Sequence, residues 1–311
     1  MSNYKVLWFD DEHETLEMIK EEAFLNDIEL IGFKNADEGI KELKENFRNY
    51  DAVLLDGLFF KTSEHTGDNV SGEAFGEVAK VLGNLKTQGT IIPWFIYSGQ
   101  KSFVKEKNVL VNVLADKAYA NGKIFDKNKD EDFIELCKEI KLAAEQQPYT
   151  RARIEYQESF HPFKLGIIDK KYEYLLLEIF ASHFEQDYRK KNINVQRDLL
   201  EAIWQSMHFN IPCIPESFFD VRIKNKPNHE WCTLFIENRV VKNNFGEHTI
   251  ENYVPKVIGS AFRCLKESVN DLSHLGDEEL VKFPFITNMY LLITILNWLP
   301  EYVKANYPNY I

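Results

Sequence analysis

A chain of 311 residues with 44 % hydrophobic content and ordinary glycine and proline usage is long enough for two cores, and it excludes collagenous, low-complexity and disulfide-stapled classes. The net charge of −12 is uneven: residues 1–150 carry 18 basic and 28 acidic side chains against 19 and 21 in the rest, which argues against polyanion binding by the first half. The four cysteines (Cys137, Cys213, Cys232, Cys264) have no paired spacing and read as reduced thiols of a cytoplasmic protein, not as a disulfide frame or a zinc site.

The first 146 residues alternate between two periodicities. KVLWF reads as a strand that begins too early to leave room for a signal peptide, followed by a helix over HETLEMIKEEAFLN and a strand over IELIGF. ADEGIKELKENF is a helix, DAVLLD a strand ending in an acid, and GEAFGEVAKVLGNL a helix after a polar loop. TIIPWFIYSG and GKIFDK are the fourth and fifth strands, and EDFIELCKEIKLAAEQ closes the unit as a helix. This alternation predicts right-handed βαβ units on a parallel sheet, an α/β fold over residues 1–146. QQPYTRA (146–152) breaks the rhythm and reads as a linker. Residues 147–311 then read as a mainly helical domain, with helices over YEYLLLEIFASHFEQDY, VQRDLLEAIWQSMHF, ENYVPKVIGSAFRCLKESVNDLSH and the run from Phe283 to Tyr307. SFFDVRIKNKPNHEWCTLFIENRVV is ambiguous between helix and strand. The apolar run Phe283–Leu299 is interrupted by Asn288 and Asn297, so a buried helix is expected and no membrane partner.

The strand ends carry the chemistry. Asp10 and Asp11 close the first strand, Asp56 the third, Ser98 the fourth and Lys127 the fifth, and a parallel sheet brings all five to one edge. Three converging carboxylates repel unless a cation intervenes, and a hard divalent ion with oxygen ligands, Mg²⁺, meets that need. The lysine and the hydroxyl are what a phosphoryl group asks for, and Gly99 leaves the approach to Ser98 open. Each acid taken singly is also a plain helix cap.

WFDDE, AVLLDG, FIYSG and IFDK, in that order, resemble the receiver domain of two-component response regulators. The resemblance covers roughly residues 3–146 and implies a flavodoxin-like five-stranded fold with Asp56 as phosphoacceptor. It further implies Asp10, Asp11, Asp56 and the Leu58 backbone carbonyl as Mg²⁺ ligands, with Ser98, Gly99 and Lys127 as the phosphate-binding and switch positions. The implied partners are a histidine kinase or phosphotransfer protein and a second copy of the chain, and the implied activity is phosphoryl acceptance without external turnover. There are departures. Asn128 stands where the family has proline, Ile124 where it has an aromatic (Phe125 is one place late), and the loop from Phe59 to Ser71 is long enough to act as a lid over Asp56.

Two basic clusters, RKKNINVQR and RIKNKPNHEW, lack a helix-turn-helix frame and read as solvated surface, so nucleic acid is not a favoured partner. VNDLSHLGD followed by a long apolar helix is similar to HEPN helical bundles, many of which are ribonucleases. Asn270 and His274 match their polar and histidine positions and form a candidate output site, but Val269 stands where they have arginine, and Arg263 is too far upstream to replace it. A histidine at a helix end is also what the helix dipole favours. The expectation is therefore a response regulator with a helical output domain. A receiver-gated HEPN-like nuclease and a scaffold with an unphosphorylated pseudo-receiver are the rivals.

Overall fold

The computed structural model describes residues 4–65, 72–87, 90–99 and 118–310. The chain separates into two compact units, Met1–Arg151 and Ala152–Ile311.

In the first unit the strands are β1 (Tyr4–Phe9), β2 (Ile28–Phe33), β3 (Ala52–Leu55), β4 (Trp94–Ser98) and β5 (Ile124–Asp126). The helices are α1 (Glu17–Leu25), α2 (Ala36–Asn46), α3 (Gly72–Thr87) and α4 (Asp130–Ala144). The sheet is parallel throughout, in the order β2-β1-β3-β4-β5. This is the flavodoxin-like order, so the expected α/β fold is present. Strand residues sort by parity. Leu7, Phe9, Val53, Leu55 and Ile96 pack under α2 and α3, while Val6, Trp8, Leu54, Phe95 and Phe125 pack under α1 and α4. A sheet covered on both faces has no solvent side, which is why its strands read as unbroken apolar runs.

Boundaries move where a backbone group has another partner. The first helix starts at Glu17, not His13, because the Thr15 backbone N–H and hydroxyl both turn back to the Glu12 carbonyl, at 2.8 Å each. β4 begins after Pro93, whose missing N–H bars it from an inner ladder although its carbonyl still accepts from Val53 N–H (2.9 Å). The expected linker, within which the two units divide, is largely helical: α5 (Pro148–Glu155) is opened by the proline that a first turn tolerates. Its Thr150 hydroxyl donates to Asp51 Oδ1 (2.5 Å), and Asp51 Oδ2 accepts the Lys5 N–H (2.7 Å), so this segment is tied to the starts of β1 and β3.

The second unit is mostly helical, built on Glu173–Phe184, Lys191–Phe209, Lys256–Asp271 and Lys282–Asn306. Val254, Ile258, Ala261, Leu265 and Val269 form a buried stripe that leaves Leu272 half-buried, and Trp204 stacks on Phe262 at 4.3 Å. The ambiguous stretch is both things in short pieces. Phe219–Asp220 pairs with Lys226–Pro227, and a helix follows over His229–Ile236, capped by Asn228, whose Oδ1 accepts from Trp231 N–H (3.0 Å). The strand pair Val241–Asn243 and Gly246–His248 completes it. Helix Lys282–Asn306 is long and apolar enough to cross a bilayer by length and composition. Its Phe285, Met289, Leu292, Ile295, Leu296 and Leu299 are nevertheless buried within the unit.

Candidate functional site

Backbone pairing fixes which strand ends are neighbours. Asp10 N–H donates to the Phe33 carbonyl (3.0 Å), Asp56 N–H to Phe9 (2.9 Å) and Lys127 N–H to Ser98 (3.1 Å). Asp10, Asp56, Ser98 and Lys127 therefore follow one another along the carboxyl edge of the sheet, with Asp11 beside Asp10.

One ammonium serves two buried carboxylates. Lys127 Nζ donates to Asp56 Oδ2 (2.7 Å) and to Asp10 Oδ2. The other oxygens are held by backbone: Asp10 Oδ1 accepts from Glu12 N–H (2.9 Å) and Asp56 Oδ1 from Gly57 N–H (2.5 Å). Asp10 is fully buried, Asp56 nearly so, and Asp11 intermediate. Burial pushes the Asp10 carboxyl up to about 6; Lys127 opposes this and the Asp56 charge adds to it. Burial also raises Asp11. For Lys127 burial works against the charged form, but Asp56 and Asp10 outweigh it and the ammonium is held above its ordinary range.

Ligand atoms of Asp10, Asp11 and Asp56 all lie within 4.8 Å of one another. Three carboxylates against one ammonium leave uncancelled negative charge in a largely buried site, and the donor set is entirely oxygen. Those are the terms on which a hard divalent cation binds, so the residues present fit Mg²⁺.

The neighbouring positions are mixed. Ser98 is buried at the end of β4. A Cβ at Gly99 would meet the Lys127 Cβ at 3.4 Å, so this glycine lies against the lysine stem. Asn128, named from sequence only as a missing proline, binds the Gly99 carbonyl through Nδ2 (3.1 Å) and Asp126 Oδ1 (2.9 Å), joining the loops after β4 and β5. The sequence offers little signal for that role, since an asparagine after a lysine is unremarkable. Phe125 is fully buried toward α1 and α4, while Ile124 packs toward α2 and α3, so the aromatic and the aliphatic residue face opposite sides of the sheet. The expected lid lies partly outside the described residues. Its start is pinned, with Phe59 buried and the Phe60 carbonyl accepting from Ala36 N–H (2.9 Å).

In the second unit the candidate output residues do not form a nuclease-like constellation. Asn270 is half-buried near the end of its helix, and His274 is exposed in the turn Leu272–His274. Arg263 is committed to Glu237 (Nε to Oε1, 2.6 Å) and lies near Glu267 (3.4 Å) and Glu230 (3.7 Å). An arginine held by three carboxylates is a structural clamp, and the HEPN-like reading finds no support. The first basic cluster is neutralised from within. Arg189 pairs with Asp187 (2.6 Å) and Glu278 (3.2 Å), Lys190 with Asp277 (3.2 Å) and Arg197 with Glu201 (3.5 Å). In the second cluster Arg222 pairs with Asp220 (3.1 Å). All four cysteines are free thiols, three of them buried.

No protein-family model matches the sequence, and no curated protein matches it. Among solved structures, the amino-terminal part is similar to the receiver domain of the Francisella response regulator 1452, with 20% identity, 46% of this chain and 98% of that chain covered, and a TM-score of 0.32. It is likewise similar to a response regulator receiver domain from Clostridium thermocellum, with 20% identity, 46% and 95% coverage, and a TM-score of 0.32. At these TM-scores neither likeness carries an argument: the fold rests on the strand order and the chemistry on the site.

Proposed function

We propose that the chain is a response regulator whose first unit accepts a phosphoryl group on Asp56 in a Mg²⁺-dependent reaction and whose helical unit carries the output. The observation that supports it most is the meeting of Asp10, Asp11 and Asp56 within 4.8 Å, with Lys127 Nζ on Asp56 Oδ2 at 2.7 Å. One carboxylate oxygen of Asp56 attacks the phosphorus of a phosphohistidine on a kinase or phosphotransfer protein. A P–O bond forms, the P–N bond breaks, and the departing imidazole takes a proton from solvent. Asp10, Asp11, Asp56 and the Leu58 carbonyl would hold Mg²⁺, which when bound neutralises charge on the acceptor and the transferring group. Lys127, already on the acceptor carboxylate, is within reach of an oxygen of the new phosphoryl group, and Ser98 is the nearest hydroxyl-bearing strand end. Exchange of Asp10 and Asp56 carboxylate contacts for phosphoryl contacts is the local change that an output surface would sense. Four free thiols support a cytoplasmic setting.

Intact mass after incubation with acetyl phosphate and Mg²⁺ tests this directly. The wild type should gain one phosphoryl group and Asp56→Asn none. An unmodified wild type that also fails to bind Mg²⁺ would favour a pseudo-receiver scaffold.

A further inference from the structure

The second unit contains a cavity of roughly 560 Å³ for which phosphoryl transfer has no use. It lies where the end of helix Lys191–Phe209, the segment Pro212–Glu216 and the strand Gly246–His248 meet. Its size is within the range of about 300–1,000 Å³ typical of small-molecule sites.

Its walls are richer in acceptors than in side-chain donors, which are the Thr249 and Tyr307 hydroxyls and the Cys213 thiol. Glu216 and Glu251 line it with no ion pair to a described residue, whereas Glu247 is paired with Lys242 (2.5 Å); no lysine or arginine is among the lining residues. Two imidazoles add to the acceptor set. His208 Nδ1 lies 2.8 Å from the Ile214 carbonyl. A carbonyl can only accept, so Nδ1 carries a proton, and in the neutral ring Nε2 is the acceptor. The ring is stacked on Phe219 at 4.8 Å, which fixes its plane. His248 Nε2 lies 3.3 Å from Asn243 Oδ1 and 3.2 Å from Ser217 Oγ, and the Asn243 amide donates to that same hydroxyl (3.1 Å). With Nε2–H given to the asparagine oxygen, His248 keeps Nδ1 as an acceptor. Phe235 and Tyr307 contribute aromatic surface.

We propose that this cavity binds a small organic cation, an alkylammonium or guanidinium compound that brings the positive charge the walls lack and N–H donors for their carboxylates and imidazoles. Carboxylates take such groups through charge-assisted hydrogen bonds, and aromatic faces attract them. A metal ion fits less well: among the described residues only Asp10, Asp11 and Asp56 bring three ligand atoms together. The site would make the helical unit a ligand-responsive module.

Agmatine, which carries both cationic groups, is the probe, titrated calorimetrically into the full chain. The acidic edge of the first unit could attract the same cation, so Asp11→Asn serves as a control. The expected result is saturable one-site binding, unchanged in Asp11→Asn and weakened about tenfold or more in Glu216→Gln/Glu251→Gln. Imidazole ¹⁵N resonances of His208 and His248 should shift on titration, a readout that does not depend on the variants. No binding, binding lost in Asp11→Asn but kept in the glutamine variant, or unmoved histidine resonances would overturn the proposal.

Discussion

Asp10 and Lys127 meet across 117 positions of sequence, and their contact sets the pH behaviour of the site. The folded-state carboxyl of Asp10 titrates near 6, above its ordinary 3.8, chiefly because it is buried. Between those values the folded chain holds a proton that the unfolded chain releases. This group therefore stabilises the metal-free fold as pH falls from about 6, and that contribution is lost as pH rises through 6. A cation bound to Asp10 competes with the same proton. Mg²⁺ affinity should accordingly weaken as pH falls below about 6, by up to tenfold per unit. Titrating Mg²⁺ at about pH 5 and pH 7.5, with Trp8 fluorescence as the readout, checks it. A flat profile would mean that Lys127 keeps Asp10 ionised throughout. Residue identity was legible here, since WFDDE, AVLLDG and IFDK name every charged member of the site. Asn128 was not: its work is a tertiary bond to Gly99, and nothing in its neighbours along the chain announces that.

Among the elements, α2 and β1 show how little room the packing leaves. The space for a Cβ on Gly39 is already filled by the Phe9 ring, 2.2 Å from Cε1, and Phe9 is fully buried one residue before Asp10. Gly39→Ala would gain about 1 kcal/mol of helix propensity. Overpacking of a closed core costs about 1–3 kcal/mol, and a ring hemmed in on every side puts this case at the upper end. The expected outcome is a net loss of about 1–2 kcal/mol in urea unfolding; equal or greater stability would show that Phe9 can move aside. Periodicity located this helix well, because Ile40, Leu43 and Phe47 are spaced for one face. It could not show that Gly39 is required by a ring from a strand. Residues 146–152, read as the junction, do hold the boundary between the units, but within a helix tied to Asp51 through Thr150, which glutamines and a proline do not announce.

At the scale of the molecule, the Asp51–Thr150 bond predicts where the first unit can be cut. A fragment of residues 1–151 should fold cooperatively and accept a phosphoryl group on Asp56. One ending at residue 146 leaves Asp51 without the Thr150 hydroxyl and should be less stable by about 1 kcal/mol or more in urea unfolding. Equal stability of the two fragments would reduce that bond to decoration. By itself the sequence determined the α/β class of the first half, the strand ends that carry acids and lysine, and the helical nature of the second half. These are local properties: side-chain period, caps and turn residues act over a few positions. Only the tertiary structure decided that one ammonium bridges Asp10 and Asp56, that Arg263 and the Arg189 cluster are spent on internal ion pairs, and that His208 and His248 line one cavity. Each of these depends on contacts between residues far apart in the chain, and a pattern read along the chain contains no distances across it.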